Sequence, residues 1–209
     1  MKSKIANNLN IYDKKQSFID TSPKDWIFCE LDGIIQIQSL RFNPLENNES
    51  KLCIELEHIT QETGEIIGFV DAKSQLSIKN LFFKGQILFG KLRPYLKKYW
   101  KAQFDGVCSS EIWVFDGKKV SNDFLFYFVQ TNKFIQIANV SSGSKMPRAD
   151  WAYMKEIPFL IPSLWEQEKI AKILSAADCL IQNTQALITQ KEKYKKGLCQ
   201  KLFFPKTSF

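Results

Sequence analysis

EQEKIAKILSAADCLIQNTQALITQKEKYKKGLCQKLF, residues Glu166 to Phe203, decides the architecture. Ile170, Ala177, Thr184, Lys191 and Leu198 recur at every seventh position. The apolar pairs Ile173/Leu174, Leu180/Ile181 and Leu187/Ile188 interleave with them, and Tyr194 and Leu202 extend the stripe. A repeat of this kind is one apolar seam on an α-helix, and no Pro or Gly interrupts it before Gly197. At about 1.5 Å of rise per residue the segment makes a rod of roughly 55 Å. A single seam on so long a helix cannot be buried against itself, so it predicts a partner helix. Thr184 and Lys191 break the apolar run, as polar positions that set register do in coiled coils. The expected role is assembly or spacing.

Working back from the helix, Ser163 is a reasonable N-cap, and Glu166 stands at the third position beyond it as a capping box requires. Ile157-Pro-Phe-Leu-Ile-Pro162 reads as a short strand bracketed by prolines, which cannot continue a helix. Val140–Asp150, VSSGSKMPRAD, is a small-residue loop that carries charge. Ser121–Gln136 has Phe124, Phe128 and Ile135 at helical spacing behind the N-cap candidate Ser121, and predicts one core-facing helix. From Lys24 to Phe115 the pattern is short strands, expected at Gly33–Gln38, Leu52–Leu56, Glu65–Val70, Gln86–Phe89 and Ile112–Phe115. Asn43-Pro44, Thr63-Gly64 and Asp105-Gly106 are the turn signals between them. Residues 1–22 are polar and rich in Asn and Lys, and are expected to form an arm. The predicted class is α+β: the arm over 1–22, a globular domain over 23–162, and a long C-terminal helix over 163–209.

The bulk numbers fit one core with an appendage, since 209 residues is about the span of one or two domains. Apolar content of 44% with 17 Phe excludes a disordered chain. A net charge of +7 and a pI near 9.1 point to a polyanionic partner. Five scattered cysteines without a C-x-x-C spacing favour reduced thiols over a disulfide framework or a zinc site. The first residues lack the apolar core of a signal peptide, and no apolar run approaches the roughly 20 residues of a membrane span. A soluble cytoplasmic protein with no membrane partner is expected.

Enzyme motifs fail on inspection. Gly85-Gln-Ile-Leu-Phe-Gly90-Lys91 matches half of a phosphate-binding loop, but Leu92 stands where magnesium needs Ser or Thr, and the intervening residues alternate like a strand. His58 is the single histidine, which removes most nucleophilic and metal constellations. Phe42-Asn-Pro-Leu-Glu46 shares only Asn-Pro with the base-holding motif of amino-methyltransferases, and reads as a turn. No catalytic residue and no metal site is expected.

The strongest charge feature is Lys84, Lys91, Arg93, Lys97, Lys98 and Lys101, with no acid among them and with Tyr95, Tyr99 and Trp100 interleaved. Such cations release counterions from phosphates, and Arg can also fork onto a guanine edge. The plainer account is a sheet edge protected from aggregation by lysines. Ser141-Ser-Gly-Ser-Lys-Met-Pro-Arg148 adds hydroxyls, exposed backbone donors and two cations, the groups that position a protein on DNA.

Several of these segments, taken in order, resemble the specificity subunits of Type I restriction–modification enzymes. The matching pieces are Ile87-Leu-Phe-Gly-Lys-Leu-Arg-Pro-Tyr-Leu96, Phe104-Asp-Gly-Val-Cys-Ser-Ser-Glu111, Gly143-Ser-Lys-Met-Pro147 and Ile157-Pro-Phe-Leu-Ile-Pro-Ser163. Glu166-Gln-Glu-Lys-Ile-Ala171 and Lys195-Lys-Gly-Leu-Cys-Gln-Lys-Leu-Phe203 follow, and Asp25-Trp26 with Glu30-Leu-Asp-Gly33 resembles the start of such a module. The resemblance covers roughly residues 24–203.

In that family each target-recognition domain reads half of a split DNA sequence, and a long helix follows it. A usual subunit carries two such domains with their helices antiparallel, whereas this chain holds one of each and is similar to a half subunit. The resemblance implies a mixed-sheet recognition domain with no catalysis or cofactor of its own. It also implies a partner adenine methyltransferase subunit holding S-adenosylmethionine, and a restriction and translocase subunit using magnesium. Lys91, Arg93, Lys97, Lys98, Ser142, Lys145 and Arg148 are the expected DNA-facing residues. Ile170, Ile173, Leu174, Ala177, Leu180, Ile181, Thr184, Leu187, Ile188, Tyr194 and Leu198 are the expected contacts of a homodimer. The rival reading is a coiled-coil scaffold or adaptor whose basicity is incidental.

Overall fold

Among the described residues, strands and helices alternate in short pieces from Ile27 to Ile161. The computed structural model describes residues 23, 25–47, 49–140 and 146–204. The arm expected over residues 1–22 lies outside them. Strand β1 (Ile27–Glu30) pairs antiparallel with β11 (Pro158–Ile161), so the Pro-bracketed strand returns to the beginning of the domain. One turn of helix, α1 (Leu31–Ile34), leads into β2 (Ile35–Gln38). A four-stranded sheet then runs in the order β2, β10 (Ile112–Gly117), β7 (Ile87–Gly90), β8 (Tyr99–Lys101). A five-stranded sheet runs β3 (Arg41–Phe42), β6 (Lys79–Phe82), β9 (Gly106–Cys108), β4 (Leu52–Ile54), β5 (Val70–Asp71). Its β4–β9 pairing is parallel while the others are antiparallel, so the sheet is mixed.

The core sits between the two larger sheets. Ile54, Phe82, Leu88, Trp100, Cys108, Ile112 and Val114 form one buried cluster drawn from both. The other face of the four-stranded sheet is closed by phenylalanines on two helices, α2 (Asn122–Phe128) and α3 (Asn132–Ala138). Phe89 stacks on Phe115 at 5.9 Å and meets Phe134 edge-on at 5.3 Å, and Phe128 meets Phe159 of β11 at 4.9 Å. Each such pair adds roughly 0.5–1.5 kcal/mol beyond the area it buries. This is where the abundant phenylalanine of the composition goes.

The α+β class, the mixed sheet and the long helix stand as expected, and several local expectations need correction. The helix read over Ser121–Gln136 is two helices, each with its own N-cap. The Ser121 hydroxyl accepts from Phe124 N–H at 3.2 Å and the Thr131 hydroxyl from Phe134 N–H at 3.4 Å. The apolar spacing continues across the break because both helices turn the same aromatic face to one sheet. Glu65–Val70 is not a strand; it meets strand geometry only at the Ile59–Ile66 bridge and at the start of β5. The first two residues of Gly33–Gln38 are helical because Leu31 and Ile34 both turn into the core. Leu52–Leu56 ends at Ile54 and passes into a tight turn at Leu56–His58.

The chain divides into two units, one up to Glu168 and one from Lys169. The long helix, α5 (Leu164–Phe203), starts inside the first of them, preceded by the short helix α4 (Trp151–Met154) and by β11. At its start the Glu166 carboxylate accepts from the Ser163 N–H at 3.2 Å and from its hydroxyl at 3.0 Å. Gln167 is almost fully buried and acts as a bolt: its amide accepts from Ser121 N–H at 3.0 Å and donates to the Pro162 carbonyl at 3.0 Å. In the second unit the helix continues without a break from Lys169 to Phe203, about 50 Å at its ordinary rise. Ile173, Leu180, Ile181, Leu187, Ile188 and Tyr194 of its stripe are exposed.

Candidate nucleic-acid interface

Gly90 ends β7 in a tight place, where a Cβ would stand 2.8 Å from the Leu56 side chain. The chain then leaves the sheet through Lys91-Leu92-Arg93, turns, and returns along β8. The turn is one short helical turn at Pro94–Leu96, and the residues on either side are left-handed, Arg93 at φ 52° and Lys97 at φ 48°. For residues bearing a Cβ that conformation costs about 1–2 kcal/mol each. Backbone held in such regions gathers where side chains must be aimed.

A second segment clips onto the outgoing leg. Arg93 N–H donates to the Pro147 carbonyl at 2.8 Å, Ala149 N–H donates to the Lys91 carbonyl at 2.8 Å, and Leu92 bridges Arg148. Lys91 N–H donates in turn to the Glu111 carbonyl at 3.0 Å. Lys91, Arg93 and Arg148 therefore share one three-segment ladder. Ser142 and Lys145 lie outside the described residues.

The returning leg faces different partners. Lys97 Nζ lies 2.7 Å from Glu62 Oε1, and Lys98 Nζ donates to the Leu56 carbonyl at 2.6 Å. Burial pushes the Lys98 ammonium below its ordinary pKa, with the nearby Glu57 charge opposing. Lys98 thus serves packing as much as charge. Lys101 pairs with Asp123. Arg148 forks onto Glu111, Nε to Oε2 at 2.9 Å and Nη2 to Oε1 at 3.2 Å, and this hydrogen bonding raises the guanidinium above its ordinary range.

The basic run contains no acid in sequence, yet acids from remote segments neutralise part of it in space. Among the described residues, Lys91 and Arg93 make no ion pair. The interleaved aromatics also separate. Tyr99 and Trp100 belong to the core, the Tyr99 hydroxyl donating to the Glu62 carbonyl at 2.6 Å, while Tyr95 is exposed at the turn beside Arg93. Sequence reasoning missed Glu62 and Glu111, and nothing near either in sequence signals the pairing.

Other candidate chemistry resolves into structure. Ile87–Gly90 is a buried strand rather than a phosphate cradle. His58 closes the tight turn after β4, its Nδ1 accepting from Glu55 N–H at 3.0 Å. Asn43 Oδ1 accepts from Leu45 N–H at 3.2 Å, as an Asn-Pro turn requires. No cluster of three metal-ligating side chains occurs among the described residues, and no helix among them is long and apolar enough to cross a membrane.

A family model described as the Type I restriction modification DNA specificity domain matches residues 23–193. The Type I restriction enzyme EcoDI specificity subunit of Escherichia coli is 28% identical over 204 residues, covering 94% of this chain and 45% of that subunit. The MjaVIII specificity subunit of Methanocaldococcus jannaschii is 34% identical over 100 residues, 47% of this chain and 23% of its own length. In fold, the chain is similar to the HsdS subunit of Thermoanaerobacter tengcongensis, with a TM-score of 0.67 at 19% identity over 90% of this chain and 51% of that one. The S subunit of M. genitalium gives a TM-score of 0.57 at 18% identity, over 87% of this chain and 46% of that one. The chain spans about half the length, or less, of the relatives it matches.

Proposed function

The chain belongs to the Type I restriction–modification DNA specificity family, and from that premise we propose that it is a DNA sequence-recognition component without catalysis of its own. It directs a partner adenine methyltransferase subunit, and a nuclease and translocase subunit with it, to a bipartite site. S-adenosylmethionine and magnesium belong to those partners, and the complex works in the cytoplasm. The observation that carries the reading is the convergence of Lys91, Arg93 and Arg148 on one ladder in a domain of this family. Lys97 and Lys98 contribute phosphate contacts from the other leg of the turn, and Ser142 and Lys145, which lie outside the described residues, are further proposed DNA contacts.

The α5 stripe supports the second half of the proposal. Ile173, Leu180 and Ile181 are each about two-thirds exposed or more, surface that a second copy of the helix would cover. Two copies so paired couple two recognition domains, and two-fold symmetry then demands inverted half-sites at a fixed spacing.

The test is to sequence genomic methylation in cells with and without this chain. One adenine-methylated motif with inverted halves should depend on it. Binding of the purified chain to selected and random duplexes at moderate salt separates this reading from that of a basic scaffold, which binds all DNA alike. Equal affinity for every duplex, with an unchanged methylome, would refute the recognition role.

A further inference from the structure

Glu111 closes the segment Phe104–Glu111, and its backbone carbonyl belongs to the ladder. Its carboxylate occupies one edge of Arg148, the edge made by Nε and Nη2. A guanidinium is planar, with five N–H donors in fixed directions. With that edge engaged, the edge made by the two terminal nitrogens still presents two parallel donors. The Arg148 side chain is 53% exposed against 27% for Glu111, so the acid is the anchor and the arginine faces solvent.

Both backbones are pinned through one residue: Lys91 donates to the Glu111 carbonyl, and its own carbonyl accepts from Ala149 N–H. The direction of the remaining edge is therefore set before any ligand arrives, which lowers the ordering cost of binding. Two kinds of group on DNA accept a forked pair, a phosphate and the O6/N7 edge of guanine. Phosphate affinity comes from net positive charge, and Glu111 has cancelled that of Arg148. Base reading depends on direction, which the pair has strengthened.

We propose that Arg148 is a specificity-determining residue that reads one guanine in the major groove through its terminal nitrogens, and that Glu111 is its positioning residue. The proposal rests on the DNA-recognition reading above. To test it, the preferred duplex is selected with the full chain, and each guanine is then replaced singly by 7-deazaguanine, which lacks the N7 acceptor. Affinities are measured at fixed salt for the unmodified chain, Arg148→Lys and Glu111→Gln.

The expected result is one guanine at which the replacement costs the unmodified chain at least about fivefold, the lower end for a forked guanine contact. Arg148→Lys keeps the charge and should show no penalty at that guanine, with random-duplex binding within about twofold of the unmodified chain. Glu111→Gln should shrink the penalty at the same position only. The same deaza profile in all three proteins overturns the proposal, and so does a uniform loss on every duplex in Arg148→Lys, the behaviour of a phosphate contact or a loosened fold. Either outcome leaves sequence recognition by the chain standing. A chain that prefers no duplex at all overturns both.

Discussion

Replacing Ile181 and Ile188 together with Asp should turn a dimer into folded monomers. Ile181 is 66% exposed and Ile188 46% exposed, so the two together leave about one complete isoleucine surface per copy for a partner to cover. Full burial of such a side chain contributes roughly 1.5–3 kcal/mol. Two-fold pairing doubles this to about 3–6 kcal/mol, a weakening of roughly two to four powers of ten in Kd. Any Asp that remained in the seam would add a desolvation penalty. The fold should survive, since neither isoleucine lies in the buried core and the helix propensities of Asp and Ile differ by only a few tenths of a kcal/mol. Sedimentation over a wide concentration range, with circular dichroism as the control for folding, reads the effect. Thr184→Leu is the opposite control. Its hydroxyl already donates to the Leu180 carbonyl of its own helix at 2.7 Å, so the substitution should tighten the dimer. An unmodified chain that stays monomeric at its highest concentration, or a double Asp variant that sediments like it, would refute the pairing argument.

Four further outcomes follow. Lys97→Ala should weaken selected and random duplexes alike, and because Glu62 already offsets part of its charge the salt slope should fall by less than about one unit, read by titration at several salt concentrations. Arg93→Gly should leave the urea midpoint unchanged or raised, because glycine adopts φ 52° without strain, while the selected-to-random affinity ratio falls; a lower midpoint with an intact ratio would contradict it. Glu55→Gln removes the acid 2.5 Å from the buried Lys79 ammonium and should cost about 3–5 kcal/mol in urea unfolding, most of it recovered in Glu55→Gln/Lys79→Met. In native protein the exposed Cys179 and Cys199 should react with a thiol reagent at once, whereas Cys53, whose pKa burial pushes up to about 12, should react only after unfolding.

What the sequence disclosed is what depends on neighbours a few residues apart. The α5 stripe, its Ser163–Glu166 start and the Pro-bracketed β11 are local patterns, and each is present in the fold. The break between α2 and α3 was hidden because Thr131 caps a new helix without interrupting the aromatic spacing. Strand β8 was hidden inside a run read for its charge, where Tyr99 and Trp100, both core, stand interleaved with the cations. The candidate site was legible as a list of cations but not as an arrangement. Glu111 stands 37 residues before Arg148, and only folding brings it there. A run of one sign in sequence says nothing about acids arriving from other segments, such as the Glu62 that meets Lys97 and the Asp123 that meets Lys101.

The ladder through Lys91 bears on how such a domain can be re-engineered. A designer wishing to transfer target preference to another scaffold would cut out the visible turn, Lys91 to Lys98, and graft it. That piece carries its strained backbone and its internal turn bonds but leaves behind the groups of the ladder. The Glu111 carbonyl, the Pro147 carbonyl and the Ala149 N–H lie on two other stretches of chain, and the carboxylate that aims Arg148 lies on one of them. A turn moved alone would lose its settings on arrival. A cassette that keeps this ladder is discontinuous: residues 91–98, Glu111 and residues 147–149, moved as one, with Leu56, Glu62 and Gly90 still needed for the returning leg.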